Sequence, residues 1–240
     1  MKSVLITGAN KGIGLETAKQ MAALGYFVYL GSRDKIKGLE AVNRLKASGV
    51  SNVELIEIDV TNINSVKQAK QELETKIEAL DILINNAGIA GEMPQTPSSL
   101  GLDNLRNIFE TNFFGVVQTT QEFIPLLKKS NNPRIINVSS SLGSSTLHSN
   151  PESNPASWGA YDAYGASKTA LNAFTVALAY EFRGTNFKIN SVAPGYTATD
   201  LNQHKGTQTV DQAASIIVKY ARLADGATGK YFRESGEIPW

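Results

Sequence analysis

Glycines at positions 8, 12 and 14 are the clearest indication of a binding site in the sequence. They fall in Thr7-Gly8-Ala9-Asn10-Lys11-Gly12-Ile13-Gly14, after a predicted strand and at the start of a predicted helix. Such a turn points backbone N–H groups and a helix N-terminus at an anion, and glycine lets the backbone approach a pyrophosphate. The spacing is not that of the commonest fingerprint, and a tight turn without a ligand is the alternative. We predict a dinucleotide site, in which the Lys11 cation suits an extra phosphate.

The end of the second predicted strand bears on which dinucleotide would bind. An acidic residue there would hold the ribose 2′-hydroxyl of NAD, but positions 30 to 32 contain none. Arg33 has planar donors that can grip a 2′-phosphate with two hydrogen bonds, although a solvated surface charge is the alternative. Asp34 opens the next helix, and we interpret it as an N-cap or first-turn residue. The sequence therefore favours NADP(H).

A tyrosine and a lysine, Tyr164 and Lys168, form a second group of ionisable side chains. They are four residues apart in a predicted helix, so both lie on one helix face. This pair is common on solvated faces and indicates little by itself. Here it follows Ser139-Ser140-Ser141 at one predicted strand end and precedes Pro194-Gly195 at another. Only this combination of features indicates a functional site.

The elements that must position these residues alternate along the chain. Short runs rich in β-branched residues predict strands, and longer stretches with helical spacing predict helices. The strands are Val4–Thr7, Phe27–Leu30, Val53–Ile58, Ile82–Ile84, Arg134–Val138, Lys188–Val192 and Tyr231–Phe232. The helices are Gly12–Leu24, Lys35–Lys46, Ser65–Ala79, Asp103–Lys128, Asp162–Phe182 and Val210–Leu223.

Apolar strands separated by helices predict a parallel sheet that is covered on both faces. Right-handed crossovers make the sheet doubly wound, with ligands outside the carboxyl ends of its strands. The expected fold class is α/β, a Rossmann-type sheet of about seven strands, in one domain over residues 1–240. The glycine loop and the polar clusters after strands four, five and six would then share one edge of the sheet.

Composition excludes several other classes of function. Apolar residues make up 42% of the 240 residues, which argues against disorder. The formal charge of +1 offers no field for nucleic acid or an acidic membrane, so neither is an expected partner. With no Cys and only His148 and His204, no metal site is expected. Because no signal peptide or membrane span is recognised, we predict a cytoplasmic protein.

Taken in order, the motifs resemble those of the short-chain dehydrogenase/reductase family. The shared motifs are Thr7 to Gly14, Asn85-Asn86-Ala87-Gly88, Asn112, Ser140, Tyr164 with Lys168, and Pro194-Gly195. The resemblance covers essentially the whole chain. Within the family the sequence is most similar to the NADPH-dependent carbonyl reductases, on the segments Asn10–Leu15, Ser32–Asp34, Asn85–Ala90 and Pro194–Asp200.

The resemblance implies a role for each of four catalytic residues. Tyr164 would be the general acid in ketone reduction and the base in alcohol oxidation. Lys168 would lower the pKa of Tyr164 and bind the nicotinamide ribose. Ser140 would donate to the substrate carbonyl oxygen, with Ser139 and Ser141 more structural. Asn112 would distort its helix and hold a water that links Lys168 to solvent; a mid-helix Asn bonded to its own backbone is the alternative.

The same resemblance implies the residues that contact the cofactor. Asp59 would accept from the adenine amine, or else cap the following helix, and Asn86 would lie beneath the adenosine ribose or be structural. Thr197 and Thr199 would lie beside the carboxamide, or be ordinary turn residues. The full set is Gly8, Asn10, Lys11, Gly12, Ile13, Gly14, Ser32, Arg33, Asp59, Val60, Asn86, Ala87, Gly88, Tyr164, Lys168, Pro194, Gly195, Thr197 and Thr199.

One departure from the family pattern lies between Ser140 and Tyr164. They are 24 positions apart, whereas many members of the family have about half that separation. The additional residues fall within the Ser/Asn/Pro-rich segment 144–158. This segment would be a wall over the substrate, with Leu147, His148 and Trp158 as lining residues, or a surface excursion. We predict that His148 is a solvated loop residue without an acid–base role.

These observations lead to a preferred hypothesis and several alternatives. The preferred function is NADPH-dependent reduction of a ketone or aldehyde. An alcohol dehydrogenase working oxidatively, a dehydratase or epimerase with the same Tyr and Lys, and a non-catalytic dinucleotide sensor are the alternatives. The intact Ser140, Tyr164 and Lys168 weigh against the sensor. The expected partner is a small carbonyl substrate; a homo-oligomer (dimer or tetramer) and a monomer both stay open.

Overall fold

The computed structural model describes residues 1–150, 152, 161–224 and 226–240, in which strands and helices alternate. The strands form one sheet. They are β1 Ser3–Ile6, β2 Phe27–Ser32, β3 Val53–Glu57, β4 Ile82–Asn85, β5 Arg134–Val138, β6 Lys188–Val192, β7 Lys230–Arg233 and β8 Gly236–Glu237. The helices are α1 Gly12–Ala23, α2 Lys35–Ala47, α3 Ile63–Glu74, α4 Leu102–Phe109, α5 Gly115–Leu127, α6 Ser145–Ser149, α7 Asp162–Glu181 and α8 Val210–Ala221.

The sheet has the strand order β3-β2-β1-β4-β5-β6-β7-β8, and all neighbours are parallel except β7 and β8. The order reverses between β1 and β4, which creates the switch point of a doubly wound sheet. The predicted α/β fold is therefore confirmed. The eighth strand was not predicted, because two residues are too short to show an alternating pattern.

Alternate residues of each central strand enter opposite halves of the core. Val4 and Ile6 of β1 pack with α1, α2 and α8, whereas Leu5 packs with α3, α5 and α7. Successive strand side chains point to opposite faces, so a strand covered on both faces must be apolar throughout. A fully buried Leu or Ile stabilises the fold by about 1.5–3 kcal/mol. This two-sided burial fixes the strand ends at which the polar clusters lie.

The long helix predicted over residues 103–128 is interrupted. Between α4 and α5 lies one π-helical segment, Glu110–Phe114, which contains Asn112. The side chain of Asn112 bonds to the backbone of Ile89, outside its own helix. The alternative in which it bonds its own backbone is therefore wrong, and the local distortion implied by the family resemblance is present. A π-helical turn of this kind is frequent at functional sites.

The segment predicted as an insertion is described only in part. Ser145–Ser149 form α6, which includes Leu147 and His148. The ring Nε2 of His148 lies 3.5 Å from a carboxylate oxygen of Asp162, and both side chains are partly exposed. The predicted loop placement of His148 is thus wrong, since the residue lies in α6 and contacts the start of α7, although its side chain is 33% exposed. That it has no acid–base role stays a prediction. Trp158 lies outside the described residues.

Candidate active site

Tyr164 and Ser140 meet at the carboxyl edge of the sheet. Tyr164 lies in the first turn of α7, and Ser140 follows β5 and caps a short 3₁₀ helix, Ser141–Gly143. The Ser140 side chain lies close enough to the Tyr164 hydroxyl to lower the pKa of that hydroxyl. The Ser140 hydroxyl accepts a bond of 3.3 Å from the Leu142 N–H. The structure therefore brings together the two side chains that the sequence separates by 24 positions.

Lys168 completes this group from one turn further along α7. Its side chain is buried, its Nζ lies 5.7 Å from the centre of the Tyr164 ring, and it donates a 2.8 Å hydrogen bond to the Val138 carbonyl. A methyl group added at Gly88 would lie 3.6 Å from the same Nζ. The lysine is thus held between the end of β5 and the turn after β4, beside the tyrosine.

Asn112 joins this cluster through hydrogen bonds at both ends of its amide. Its oxygen accepts from the Ile89 N–H at 2.9 Å, and its nitrogen donates to the Ile89 carbonyl at 2.9 Å and to Ser167 Oγ at 3.0 Å. Ser167 in turn donates to the carbonyl of Tyr164 at 2.7 Å. The π-helical segment is therefore tied to the turn of α7 that carries the tyrosine.

Burial dominates the protonation of the pair. Desolvation raises the pKa of Tyr164 well above its usual value; the nearby Tyr231 raises it further, and only the Ser140 side chain lowers it. Desolvation also lowers the pKa of Lys168 to about 8. The predicted net lowering of the tyrosine pKa is therefore wrong for this structure, because burial outweighs any attraction to the Lys168 ammonium 5.7 Å from the ring centre. At neutral pH the phenol holds its proton.

The glycine loop packs tightly against the turn after β4. Gly8 has φ of +63°, and a Cβ there would lie 2.8 Å from Ala87 Cα. Asn86 donates from its side chain to the carbonyls of Thr7 and Gly8, at 2.9 and 3.1 Å. The alternative in which Asn86 is structural fits these bonds. A Cβ at Gly14 would lie 2.7 Å from the Gly8 carbonyl oxygen. Backbone atoms thus leave no room for a side chain at two of the three predicted loop glycines, Gly8 and Gly14.

The third loop glycine, Gly12, faces open space. A Cβ at Gly12, which has φ of +58°, would meet only Thr199 Cγ2, at 3.8 Å. The N-terminus of α1 begins at this point, and it has neither a side-chain cap nor an acidic residue in its first turn. By contrast Asp34, Asn62 and Thr209 cap α2, α3 and α8. An uncapped helix start beside a bare glycine has the donors and the positive dipole end that a pyrophosphate needs.

Lys11 and Arg33 are the two cations predicted near a phosphate. Lys11 is largely exposed and forms an ion pair of 2.6 Å with Asp200, so it has a protein partner that the sequence did not indicate. Arg33 is exposed after the last residue of β2. Asp34 caps α2 by accepting from the Lys37 N–H at 3.0 Å, which lowers its pKa and confirms the predicted N-cap. Ser32 is buried, and its hydroxyl donates to the Asp34 carbonyl at 2.8 Å.

Asp59 and Val60 follow β3, and Val60 lies against Gly115 at the start of α5. Asp59 accepts from the N–H and the hydroxyl of Thr61, at 2.9 and 2.8 Å, whereas Asn62 caps α3. The alternative that Asp59 caps this helix is therefore wrong by three residues. Val60 is buried, and its carbonyl accepts from the side chain of Gln118.

The turn after β6 faces the glycine loop. Pro194 and Thr197 are buried, Gly195 has φ of +98°, and Thr199 begins a 3₁₀ helix at Asp200–Asn202. Asn202, which the sequence did not single out, donates to the Thr197 carbonyl at 2.8 Å and accepts from the Thr199 N–H at 3.3 Å. It fixes the position of both threonines.

A cavity of about 660 Å³ opens beside these elements. It is lined by Gly91, Glu92, Met93, Tyr161, Asp200, Leu201, Asn202, Gln203 and Lys205. The fully buried Gln95 joins its wall to α7: the Gln95 side chain donates to the carbonyl of the lining residue Glu92 at 3.2 Å and accepts from the Tyr164 N–H at 2.9 Å. No spacing or motif marks Gln95, and only its burial identifies it. The cavity therefore adjoins the turn of α7 that carries Tyr164.

Among the described residues, no three His, Cys, Asp or Glu side chains are grouped so that they could hold a metal ion. In the same part of the chain, no helix combines the length and the apolar character needed to cross a membrane.

Comparison with known proteins assigns this arrangement to a family. The family model described as short chain dehydrogenase matches residues 2–209. The chain belongs to the short-chain dehydrogenase family. The family membership predicted from the motifs is thus confirmed, and the chain is an oxidoreductase of this family, whose members bind a nicotinamide dinucleotide.

Three relatives illustrate the breadth of the similarity. The chain is 34% identical to (+)-neomenthol dehydrogenase of Capsicum annuum, over 95% of this chain and 94% of that protein. It is similar in structure to salutaridine reductase from Papaver somniferum, with a TM-score of 0.86, 31% identity, and coverage of 98% and 100% of the two chains. The NADPH-bound carbonyl reductase from chicken fatty liver gives a TM-score of 0.85 and 29% identity, over 100% of this chain and 99% of that one. This last likeness supports the predicted similarity to carbonyl reductases.

Proposed function

We propose that the protein is an NADPH-dependent reductase that converts a ketone or aldehyde to an alcohol, with Tyr164 as the proton donor. One observation carries the proposal: the side chains of Tyr164 and Ser140 converge at the carboxyl edge of the sheet, with the buried Lys168 Nζ 5.7 Å from the centre of the tyrosine ring. Two hydroxyl donors that converge at one point suit a carbonyl oxygen on which negative charge develops.

Each side chain has a distinct part in this reaction. When bound, NADPH would supply the hydride for the carbonyl carbon. Ser140 donates a hydrogen bond to the carbonyl oxygen, and Tyr164 transfers its proton to that oxygen as the alcohol forms. The raised pKa keeps Tyr164 protonated, which is the state a reductase needs. The Lys168 ammonium, near the ring, stabilises the phenolate that is left after transfer.

The charges near the end of β2 support NADPH over NADH. Arg33 is exposed, and the adjacent Asp34 is engaged in capping α2 and is therefore not free to hold a ribose hydroxyl. Lys11 supplies a second cation on the glycine loop. The NADPH-bound state of the chicken carbonyl reductase is consistent with this preference.

The cavity beside Tyr164 is the proposed substrate site. Its lining combines Met93, Tyr161 and Leu201 with a charged rim at Glu92 and Lys205. Such a mixture suits a largely apolar carbonyl compound with a polar substituent facing the rim. We also propose that residues 1–240 work as one domain, because the site is assembled from loops along the whole chain.

A carbonyl panel assayed by loss of NADPH absorbance tests the proposal. We expect wild-type turnover of at least one ketone or aldehyde, and Tyr164→Phe should lose about 10³-fold or more in kcat while it still binds NADPH. Tyr180→Phe is the matched control, since Tyr180 lies on the same helix and is 66% exposed. Substantial ketone reduction by Tyr164→Phe would refute the acid assignment. Binding of NADPH without turnover of any panel member by wild type would favour the dinucleotide sensor instead.

A further inference from the structure

A second tyrosine, Tyr231, lies directly behind the catalytic serine. Its side chain is fully buried in β7, and its hydroxyl donates a hydrogen bond to the backbone carbonyl of Ser140. The same carbonyl accepts a bond of 2.7 Å from the Gly143 N–H. A carbonyl oxygen has two lone pairs, so both acceptor sites of Ser140 are in use.

The segment 236–240 holds Tyr231 in this position. The ring of Trp240 stacks on that of Tyr231, with centroids 5.3 Å apart and planes 17° apart. The Ile238 N–H donates to the Tyr231 carbonyl at 2.8 Å. Ser144 Oγ donates to the Pro239 carbonyl at 2.7 Å, next to the 3₁₀ helix that Ser140 caps. Residues 238–240 thus contact both Tyr231 and Ser144, the residue that follows the 3₁₀ helix Ser141–Gly143.

We propose that Tyr231 is a positioning residue, which fixes the peptide of Ser140 so that the Ser140 hydroxyl faces Tyr164 and the substrate oxygen. The inference rests on the proposed reductase function. Rotation of this peptide would redirect the side chain of Ser140, and a misplacement of about 1 Å costs about 100-fold in rate. Two anchored acceptor sites prevent that rotation.

The chemistry of Tyr231 suits a permanent donor. Burial raises its pKa to about 12, so it keeps its proton throughout the working range of an enzyme. From the opposite side, Asn172 of α7 donates to the Gly143 carbonyl at 3.0 Å. The 3₁₀ helix after Ser140 is therefore held between α7 and β7, and only Tyr231 bonds to the serine itself from β7.

Tyr220 provides a matched control in the same region of the fold. It is buried, its ring stacks on Phe232 with centroids 4.2 Å apart, and its hydroxyl donates to the Arg233 carbonyl at 2.8 Å. Tyr220→Phe and Tyr231→Phe thus remove the same atom from the same kind of environment. Only Tyr231 bonds to a residue of the active site.

The test compares kcat, the KM for the carbonyl substrate and the Kd for NADPH in the two variants. We expect Tyr231→Phe to lower kcat at least 10-fold with Kd for NADPH within twofold of wild type, and Tyr220→Phe to leave all three within twofold. A kcat within twofold of wild type in Tyr231→Phe, an equal loss in Tyr220→Phe, or a parallel rise of the Kd for NADPH would overturn the proposal.

Two further measurements keep the outcome decisive. If Tyr231→Phe does not fold, the Trp240 variants replace it: Trp240→Ala should have a lower kcat than wild type, and Trp240→Phe, which keeps an aromatic ring, should have the wild-type kcat. A wild-type kcat in Trp240→Ala as well would overturn the proposal. If wild type reduces no carbonyl, the reductase function fails, and amide exchange tests the positioning alone. The Gly143 N–H should then exchange at least 10-fold faster in Tyr231→Phe than in Tyr220→Phe, and equal rates would contradict it.

Discussion

The carboxylate of Asp200 lies 2.6 Å from the ammonium of Lys11, although the two residues are 189 positions apart. Lys11 belongs to the glycine loop, and Asp200 to the turn after β6. The pair therefore spans the gap between the two loops that face each other at the proposed dinucleotide site. His204 also contacts Asp200, at 3.0 Å, and both partners lower the pKa of the carboxyl group.

The ion pair predicts opposite effects of its two members on cofactor affinity. If Lys11 binds a phosphate of NADPH, Asp200 competes for it, so Asp200→Asn should tighten NADPH binding about twofold to fivefold and Lys11→Ala should weaken it. Both effects should shrink at high salt, because the pair is exposed. Titration by intrinsic fluorescence at two salt concentrations measures them. Asp103→Asn, which breaks an exposed pair with Arg106, is the control; weaker binding by Asp200→Asn would contradict the competition.

Arg33 should control the choice between the two dinucleotides. We expect Arg33→Ala to weaken NADPH binding at least 10-fold and NADH binding less than twofold, because only NADPH carries the 2′-phosphate. Lys37→Ala is a suitable control, since Lys37 is an exposed cation that pairs with the neighbouring Asp34. Equal losses for NADPH and NADH in Arg33→Ala would rule out the phosphate contact.

The buried Lys168 should make the free energy of unfolding depend on pH in the alkaline range. Its pKa falls from 10.5 to about 8 on folding, so between these values the unfolded chain binds more protons than the folded one. The free energy of unfolding therefore rises with pH across this window, and the gain is lost as pH falls towards 8. We expect the free energy of unfolding, measured by urea denaturation, to increase from pH 8 to pH 10 by about 2 kcal/mol more in wild type than in Lys168→Met. Tyr164 ionises above this window because its pKa is raised. Parallel pH curves for the two proteins would contradict the lowered pKa.

Gly143 should be indispensable for packing the serine turn on α7. A Cβ at this position would lie 2.8 Å from the carbonyl carbon of Lys168 and 2.9 Å from its Cβ. We expect Gly143→Ala to cost about 1–3 kcal/mol of stability and to lower kcat, because the turn that carries Ser140 must move away from Lys168. Gly49→Ala introduces strain at φ of +94° in open space far from the site, and it should lose stability without loss of kcat. Equal kcat values in the two variants would refute the argument.

The sequence was sufficient for the fold and for the edge at which the site lies. Apolar strands such as Val4–Thr7 and Ile82–Ile84 alternate with helices, and this pattern has one common solution, a doubly wound sheet. Since parallel strands end at the same edge, Ser140, Gly88 and Pro194 had to be neighbours. The direction of the tyrosine pKa shift was not predictable, because spacing gives the distance to Lys168 but not the degree of burial.

Other features of the site arise from contacts between residues remote in sequence. The bond from Tyr231 to Ser140, the pair of Lys11 with Asp200 and the placement of Gln95 under Tyr164 each join different loops or strands. Local periodicity predicts how a residue is placed within its own helix or strand, and it was therefore enough to predict the architecture. It does not predict which side chains contact each other across that architecture, because those contacts follow from packing of the whole chain.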